Sequence, residues 1–189
     1  MSNADDDTDY VAPSEGHLLA RLQEMSPEAF ERLVADVWER LGWHTRVVGE
    51  PGDRGIDVIA TREEQKQLIQ AKRYGTNTSV GSPEVQQYAS LRLQEDGVDS
   101  VTIVTTGAFT GQARDMADDL EVVLVNGADL LNVCEDAEAW DVIAGYFEEF
   151  TVADGEAADV RGPPEDDGRG LTGTAYAAWR TYKRLRRLF

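Results

Sequence analysis

The sequence predicts an α/β domain, a mixed β-sheet flanked by helices in the order α-β-β-β-α-β-α-β. Two amphipathic segments, "SPEAFERLVADVWERLGW" and the run that begins at Ser82-Pro83, enclose three short strand-like runs. Two later runs, "SVTIVTT" and "EVVLVN", are apolar almost throughout, as strands covered on both faces are, and "TGQARDMADDL" between them has helical spacing.

Taken in order, residues 1–13 are acidic and turn-rich and read as a disordered tail. "EGHLLARLQEMS" suits a short helix. In the next helix Ser26 is the cap and Pro27 sits in the first turn. Phe30, Leu33, Val34, Val37, Trp38 and Leu41 form the apolar stripe, and Gly42 stops it. Strands are expected in "WHTRVVGE", "IDVIATR" and "KQLIQAKRY", with turns at "EPGDRG" and "REEQ". A helix then runs from Ser82-Pro83 through "EVQQYASLRLQED". After "EVVLVN" and Gly127, "ADLLNVCEDAEAWDVIAGYFEEF" is helical with a break. Residues 14–150 thus form one domain. Residues 151–172 read as an acidic Gly/Pro linker, and 173–189 as a basic amphipathic segment.

The charge is unusual. There are 36 acids against 18 bases, a net of −18. Five bases lie between Arg180 and Arg187, so residues 1–179 hold 36 acids and 13 bases, a net of −23. Lysine is confined to Lys66, Lys72 and Lys183. A scattered acid excess of this size exceeds what solubility needs and resembles halophilic proteins, whose self-repulsion molar cations screen. In dilute buffer such a charge opposes a polyanionic partner, and molar salt weakens that objection. The lone Cys134 excludes an intrachain disulfide and fits a reducing compartment. No run approaches the roughly 20 apolar residues of a membrane span, and the N-terminus lacks a signal-peptide pattern. A cytoplasmic protein is expected. His17 and His44 are isolated, and no serine–histidine–acid, zinc or phosphate-loop pattern occurs.

Chemistry concentrates in "GDRGIDVIATREEQKQLIQAKRYG". Alternation puts Gln70 and Lys72 on one face of their strand and Ile69 and Ala71 on the other. A hairpin symmetric about Glu63-Glu64 sets Asp57 opposite Gln70, with Lys72 one step along the same face. A carboxylate, an amide oxygen and an ammonium then share one end of the hairpin. Asp57, the Gln70 oxygen and the Ala71 carbonyl could hold a hard divalent cation, with Lys72 beside an attacking water. The same spacing suits an exposed Asp57–Lys72 ion pair with Gln70 as filler, and the residues alone leave both open.

"GDRGID" followed by "QLIQAKRY" resembles the catalytic core of the Mrr-like restriction endonucleases, a branch of the PD-(D/E)xK nuclease superfamily. "SPEAFERLVADVWERLGWHTRVVG" resembles that family's first helix and strand, and "VTIVTTGAFTGQARDMA" with "VVLVNGADLL" its later strand–helix–strand segment. The similarity spans roughly residues 26–133. It implies a restriction-endonuclease-like core and an endodeoxyribonuclease that needs Mg²⁺ or Mn²⁺ and leaves 5′-phosphate and 3′-hydroxyl ends. Asp57 is then a metal ligand and Lys72 the motif lysine. Gln70 stands where the superfamily usually has Asp or Glu; the Gln is typical of the Mrr-like branch and removes one negative charge from around the cation. Glu31, in the Phe-Glu pair of the first helix, could restore it, or could be an ordinary surface Glu. Asp53 could join the site or merely serve the turn. Arg73, Tyr74, Lys66 and Gln86 are candidate DNA contacts, with Gln87 a further polar residue on the same helix. Thr105, Thr106 and Thr110 resemble a Thr-rich loop in which Thr110 equally suits a helix cap.

From Gln65 to Gln94 the one acid is Glu84, against the bases Lys66, Lys72, Arg73 and Arg92, so DNA is expected to approach there. Cutting both strands takes two sites, which a homodimer would supply. About 25 residues precede the first core helix, too few for the winged-helix reader of many relatives. The alternatives are a Holliday-junction or other structure-selective nuclease, and a DNA-binding protein whose site no longer cuts.

Overall fold

The computed structural model describes residues 14–48 and 55–147. The expected tail, linker and basic segment, and Asp53, lie outside the described residues.

In chain order the described elements are α1 (Glu15–Glu24), α2 (Pro27–Arg40), β1 (His44–Val47), β2 (Val58–Arg62), β3 (Gln65–Lys72), β4 (Ser79–Val80), α3 (Ser82–Ala89), a 3₁₀ turn (Ser90–Leu93), β5 (Ser100–Thr105), β6 (Ala108–Phe109), α4 (Gly111–Asp119), β7 (Val122–Val125), α5 (Gly127–Asp136) and α6 (Trp140–Gly145). The main sheet runs β1-β2-β3-β5-β7. β1, β2 and β3 pair antiparallel, while β3–β5 and β5–β7 are parallel. It is the mixed sheet expected.

Helix ends follow local chemistry. The Ser26 hydroxyl accepts from Ala29 N–H at 3.1 Å with Pro27 in the first turn, and Gly42, at φ +86°, ends α2. Thr110 caps α4 by accepting from Ala113 N–H at 3.1 Å. Between α5 and α6 the chain breaks at Glu138, at φ +50°, where Ala139 N–H donates to the Cys134 carbonyl at 2.8 Å.

Strand alternation divides the core in two. Val58, Ala60, Ile69, Ala71, Val104, Val123 and Val125 pack with residues of α1, α2, α5 and α6. Ile59, Leu68, Val101, Ile103 and Val122 pack with residues of α3 and α4 on the other face.

Two features depart from the sequence expectation. α3 ends at Ala89 and tightens into the 3₁₀ turn instead of running to Asp96. There the Ser90 hydroxyl donates to the Gln87 carbonyl at 2.6 Å, a local bond that competes with the α-helical ladder. The small parallel pair β4–β6 was not expected, because two-residue strands carry no period to read.

Candidate active site

The β2–β3 hairpin has the register expected from its turn: Val58 faces Ile69, Ile59 faces Leu68, and so on to Arg62 facing Gln65, with Glu63 at φ +53° in the turn. Asp57 stands one residue before β2, and its N–H donates to the Ile69 carbonyl at 3.2 Å. Its Oδ2 accepts from the Gln70 side-chain amide and from the Ala71 backbone N–H, the latter at 2.7 Å. N–H and C=O of one strand residue point the same way, so the Ala71 carbonyl also faces the β2 side. Asp57 is 8% exposed and Gln70 1%.

Gln70 turns its Nε2 toward Asp57, and its Oε1 is buried without a hydrogen-bond partner. Beside that oxygen runs Gly55, at φ +87°, where a Cβ would lie 3.7 Å from Oε1. The positive φ calls for glycine, and the turn brings backbone against the amide.

Lys72 shares this face of β3 and is half-buried. It makes no ion pair among the described residues, so the simple Asp57–Lys72 pair is not what the structure contains. Its Nζ instead lies 5.5 Å from the centroid of the Tyr88 ring, on α3. Tyr88 is 7% exposed. Burial, followed by the charges of Tyr74, Glu84 and Asp57, pushes its hydroxyl up to about 12. One turn earlier on α3, Glu84 accepts from the Tyr74 hydroxyl at 2.9 Å and from Gly81 N–H at 2.8 Å. Burial and Glu84 raise the Tyr74 hydroxyl above its ordinary value.

Tyr88 escaped the sequence reading, which looked to Gln86 and Gln87 on the same helix. Those two are exposed, and Val85, Tyr88 and Ala89 face the sheet. The i, i+3, i+4 spacing of these three was the available signal.

Other candidates lie elsewhere. Lys66 is at the far end of β3, about 20 Å away by strand rise. Its ammonium pairs with Glu95 at 2.7 Å and donates to the Asp96 carbonyl at 3.2 Å. Arg73 points to the opposite face from Lys72 and donates to the Gln23 carbonyl, in the last turn of α1, at 3.2 Å. Arg92 reaches the Glu121 carbonyl at 3.4 Å. Bases adjacent in sequence are therefore dispersed in space. Thr105 and Thr106 lock the end of β3, the first donating to the Lys72 carbonyl and the second to the Tyr74 carbonyl, both at 2.7 Å.

Glu31 is half-buried on α2. The Trp38 indole N–H donates to the Gln67 side-chain oxygen at 2.6 Å, whereas Gln23, just before α2, meets Arg73 and Thr106 beyond the end of β3. α2 therefore runs antiparallel to β3. Glu31, seven residues before Trp38, lies about 10 Å along the helix toward the Lys72 end.

A hard cation is bound by oxygen, and the orphaned Gln70 Oε1, the Asp57 carboxylate and the Ala71 carbonyl are oxygen donors of that kind. The residues fit a divalent cation once the Gln70 amide turns its oxygen toward Asp57. The described residues contain no group of three His, Cys, Asp or Glu side chains suited to a metal, so a cation here would draw on amide and backbone oxygens as well as on Asp57.

The chain is 37% identical over 125 residues to the type IV methyl-directed restriction enzyme EcoKMrr of Escherichia coli (strain K12), a match covering 61% of this chain and 40% of that enzyme. It therefore spans about two fifths of this curated relative. The DNA modification-dependent restriction endonuclease AspBHI has a similar structure, with a TM-score of 0.56 and 18% identity over 75% of this chain and 41% of AspBHI. MspJI restriction endonuclease, solved with a 27-mer oligonucleotide, gives a TM-score of 0.51 and 21% identity, covering 75% and 39% of the two chains. Both likenesses bear on the fold, which is restriction-endonuclease-like. A restriction endonuclease family model, Mrr_cat, matches residues 22–134, from the end of α1 into α5. That interval takes in both sheets and the whole Asp57 cluster: the chain belongs to the Mrr_cat restriction endonuclease family.

Proposed function

We propose that this chain is a divalent-metal-dependent DNA endonuclease of the Mrr-like restriction type, hydrolysing phosphodiester bonds at the Asp57 cluster. The observation that carries the reading is the buried Gln70 Oε1, left without a partner beside a buried carboxylate. An unsatisfied polar atom in a core costs about 1–3 kcal/mol, and a fold keeps one where a ligand is to satisfy it.

Asp57, Gln70 and the Ala71 carbonyl would hold Mg²⁺ or Mn²⁺, with Glu31 as a second carboxylate. When bound, the cation supplies Lewis-acid charge at the phosphate and a water acidic enough to attack at neutral pH. Lys72, whose charge no carboxylate of the described residues pairs, stabilises the negative charge that builds on the phosphoryl oxygens and orients the attacking water. The products carry 5′-phosphate and 3′-hydroxyl ends. The enzyme acts in a potassium-rich cytoplasm, and a homodimer supplies the second site for a double-strand cut. Lys66 and Gln86 lie apart from the cluster and carry no part of this reading.

The test compares wild type with Asp57→Ala and Lys72→Ala on methylated and unmethylated linear duplex and on four-way junctions, with Mg²⁺ or Mn²⁺ in potassium-rich buffer. Wild type is expected to cut duplex, and each variant to lose at least about 10²-fold in rate while remaining folded. Asp57→Ala should have a lower Tm, because it strands the Gln70 amide and the Ala71 N–H. A strong preference for junctions would favour a structure-selective nuclease. Metal-saturated wild type that retains DNA uncut would establish a non-cutting DNA-binding protein instead.

A further inference from the structure

We propose that Tyr88 is the positioning residue for Lys72, its ring face holding the ammonium at the mouth of the Asp57 cluster while leaving its positive charge intact. The inference rests on the nuclease reading for its consequence and on geometry for its substance. Lys72 Nζ lies 5.5 Å from the Tyr88 ring centroid and has no carboxylate among the described residues. In a chain with 36 acids and 18 bases, a half-buried lysine that pairs with no carboxylate of the described residues is unusual.

The physical distinction lies in what holds the ammonium. A carboxylate would fix Lys72 equally well but would cancel the charge that an incoming phosphate needs. An aromatic face attracts the cation through its quadrupole and carries no net charge, so position and charge are both kept. The neighbouring carboxylate is restrained accordingly. Glu84 lies one turn from Tyr88, yet its two oxygens are taken by the Tyr74 hydroxyl at 2.9 Å and the Gly81 N–H at 2.8 Å. Those bonds hold the acid of α3 to its own N-terminus and to Tyr74, and the Tyr88 ring meets the lysine. Asp57 lies close enough for its charge to bear on Tyr88, so ring, ammonium and carboxylate belong to one neighbourhood.

The experiment uses the full chain with Tyr88→Phe, which keeps the ring, and Tyr88→Leu, which removes it. Lysine side-chain NMR is the first readout. The sequence has three lysines, so three sets of signals are expected. The Lys72 ε-methylene should show an upfield ring-current displacement in wild type and Tyr88→Phe that disappears in Tyr88→Leu. The second readout is cleavage of linear duplex at saturating metal. Tyr88→Leu should lower kcat by about 5- to 30-fold, the weight of a partly desolvated cation–π contact, with DNA affinity within about 2-fold. Tyr88→Phe should stay within about 2-fold of wild type in both. A Lys72 signal that ignores Tyr88→Leu overturns the inference, as do equal losses in the Phe and Leu variants. If wild type cuts nothing, the nuclease reading fails by itself, and the lysine spectrum still decides whether Tyr88 positions Lys72.

Discussion

Gln67 and Gln70 lie three residues apart on β3, point to opposite faces and are each 1% exposed. On the α2 face, Gln67 accepts from Trp38 at 2.6 Å and donates to Thr102 Oγ1 at 2.7 Å, so its amide is matched at both ends. On the other face, Gln70 is matched at its nitrogen alone. Opposite consequences are expected for the same substitution. Gln67→Leu strands the Trp38 N–H and the Thr102 hydroxyl in the core and should cost about 2–4 kcal/mol, read from urea unfolding. Gln70→Leu removes an orphaned acceptor while Asp57 keeps the Ala71 N–H, so the two effects offset to within about 1 kcal/mol. It should abolish cleavage and also the rise in Tm expected of wild type with Mn²⁺. Equal destabilisation by both changes would mean that Gln70 is structural. The sequence displayed both glutamines alike. Residue type cannot tell a satisfied amide from an orphaned one, because the partners come from elsewhere: Trp38 lies 29 residues before Gln67, and Thr102 lies 35 after it.

Single elements hold the cluster at the end of the sheet. β3 finishes at Lys72, and the chain beyond it is fastened by Thr106, which accepts from Tyr74 N–H at 2.9 Å and donates to its carbonyl at 2.7 Å. The β4–β6 pair closes over the same place, with Ala108 N–H donating to the Thr78 carbonyl at 3.3 Å. Gly107 sits inside this knot. A Cβ there would come within 2.4 Å of the Thr78 backbone oxygen and 2.9 Å of Tyr74 Cβ. Backbone cannot yield cheaply, so Gly107→Ala should cost about 1–3 kcal/mol, seen as a lower Tm. Cleavage should fall too, because displacing Tyr74 frees Glu84 toward Lys72, and a wild-type Tm in this variant would count against so tight a junction. At this scale the hairpin register was legible from the sequence, since a symmetric turn fixes which numbers pair. The β4–β6 pair and the sheet-facing side of α3 were not, because both depend on what those segments pack against.

The whole molecule combines an α/β fold legible in its alternating periods with a surface whose charge the fold rearranges. The stretch that reads as a basic track from Lys66 to Arg92 disperses: Lys66 pairs with Glu95 and Arg73 binds the end of α1. Sequence adjacency does not make a patch when β3 carries its ends about 20 Å apart. What remains is a net of −18, concentrated by folding and spread by unfolding, so added salt should favour the native state. The Debye length shrinks from about 10 Å at 0.1 M to about 3 Å at 1 M, so exposed charges repel one another progressively less. Between 0.2 and 2 M KCl the Tm should rise by about 5–15 °C, as 2–5 kcal/mol of relieved repulsion would in a chain of this size. Reversing two exposed acids, Asp119→Lys with Glu135→Lys, should flatten that rise, whereas a Tm indifferent to KCl would mean that the acids do not repel enough to matter. On the encounter with DNA salt acts in two senses: it screens the repulsion between a net-negative chain and the duplex, and it also screens the attraction between Lys72 and a phosphate. Stability should therefore climb steadily with KCl while cleavage passes through a maximum. In the doubly reversed protein that maximum should move to lower salt, because folding then needs less screening while Lys72 and its phosphate are unchanged.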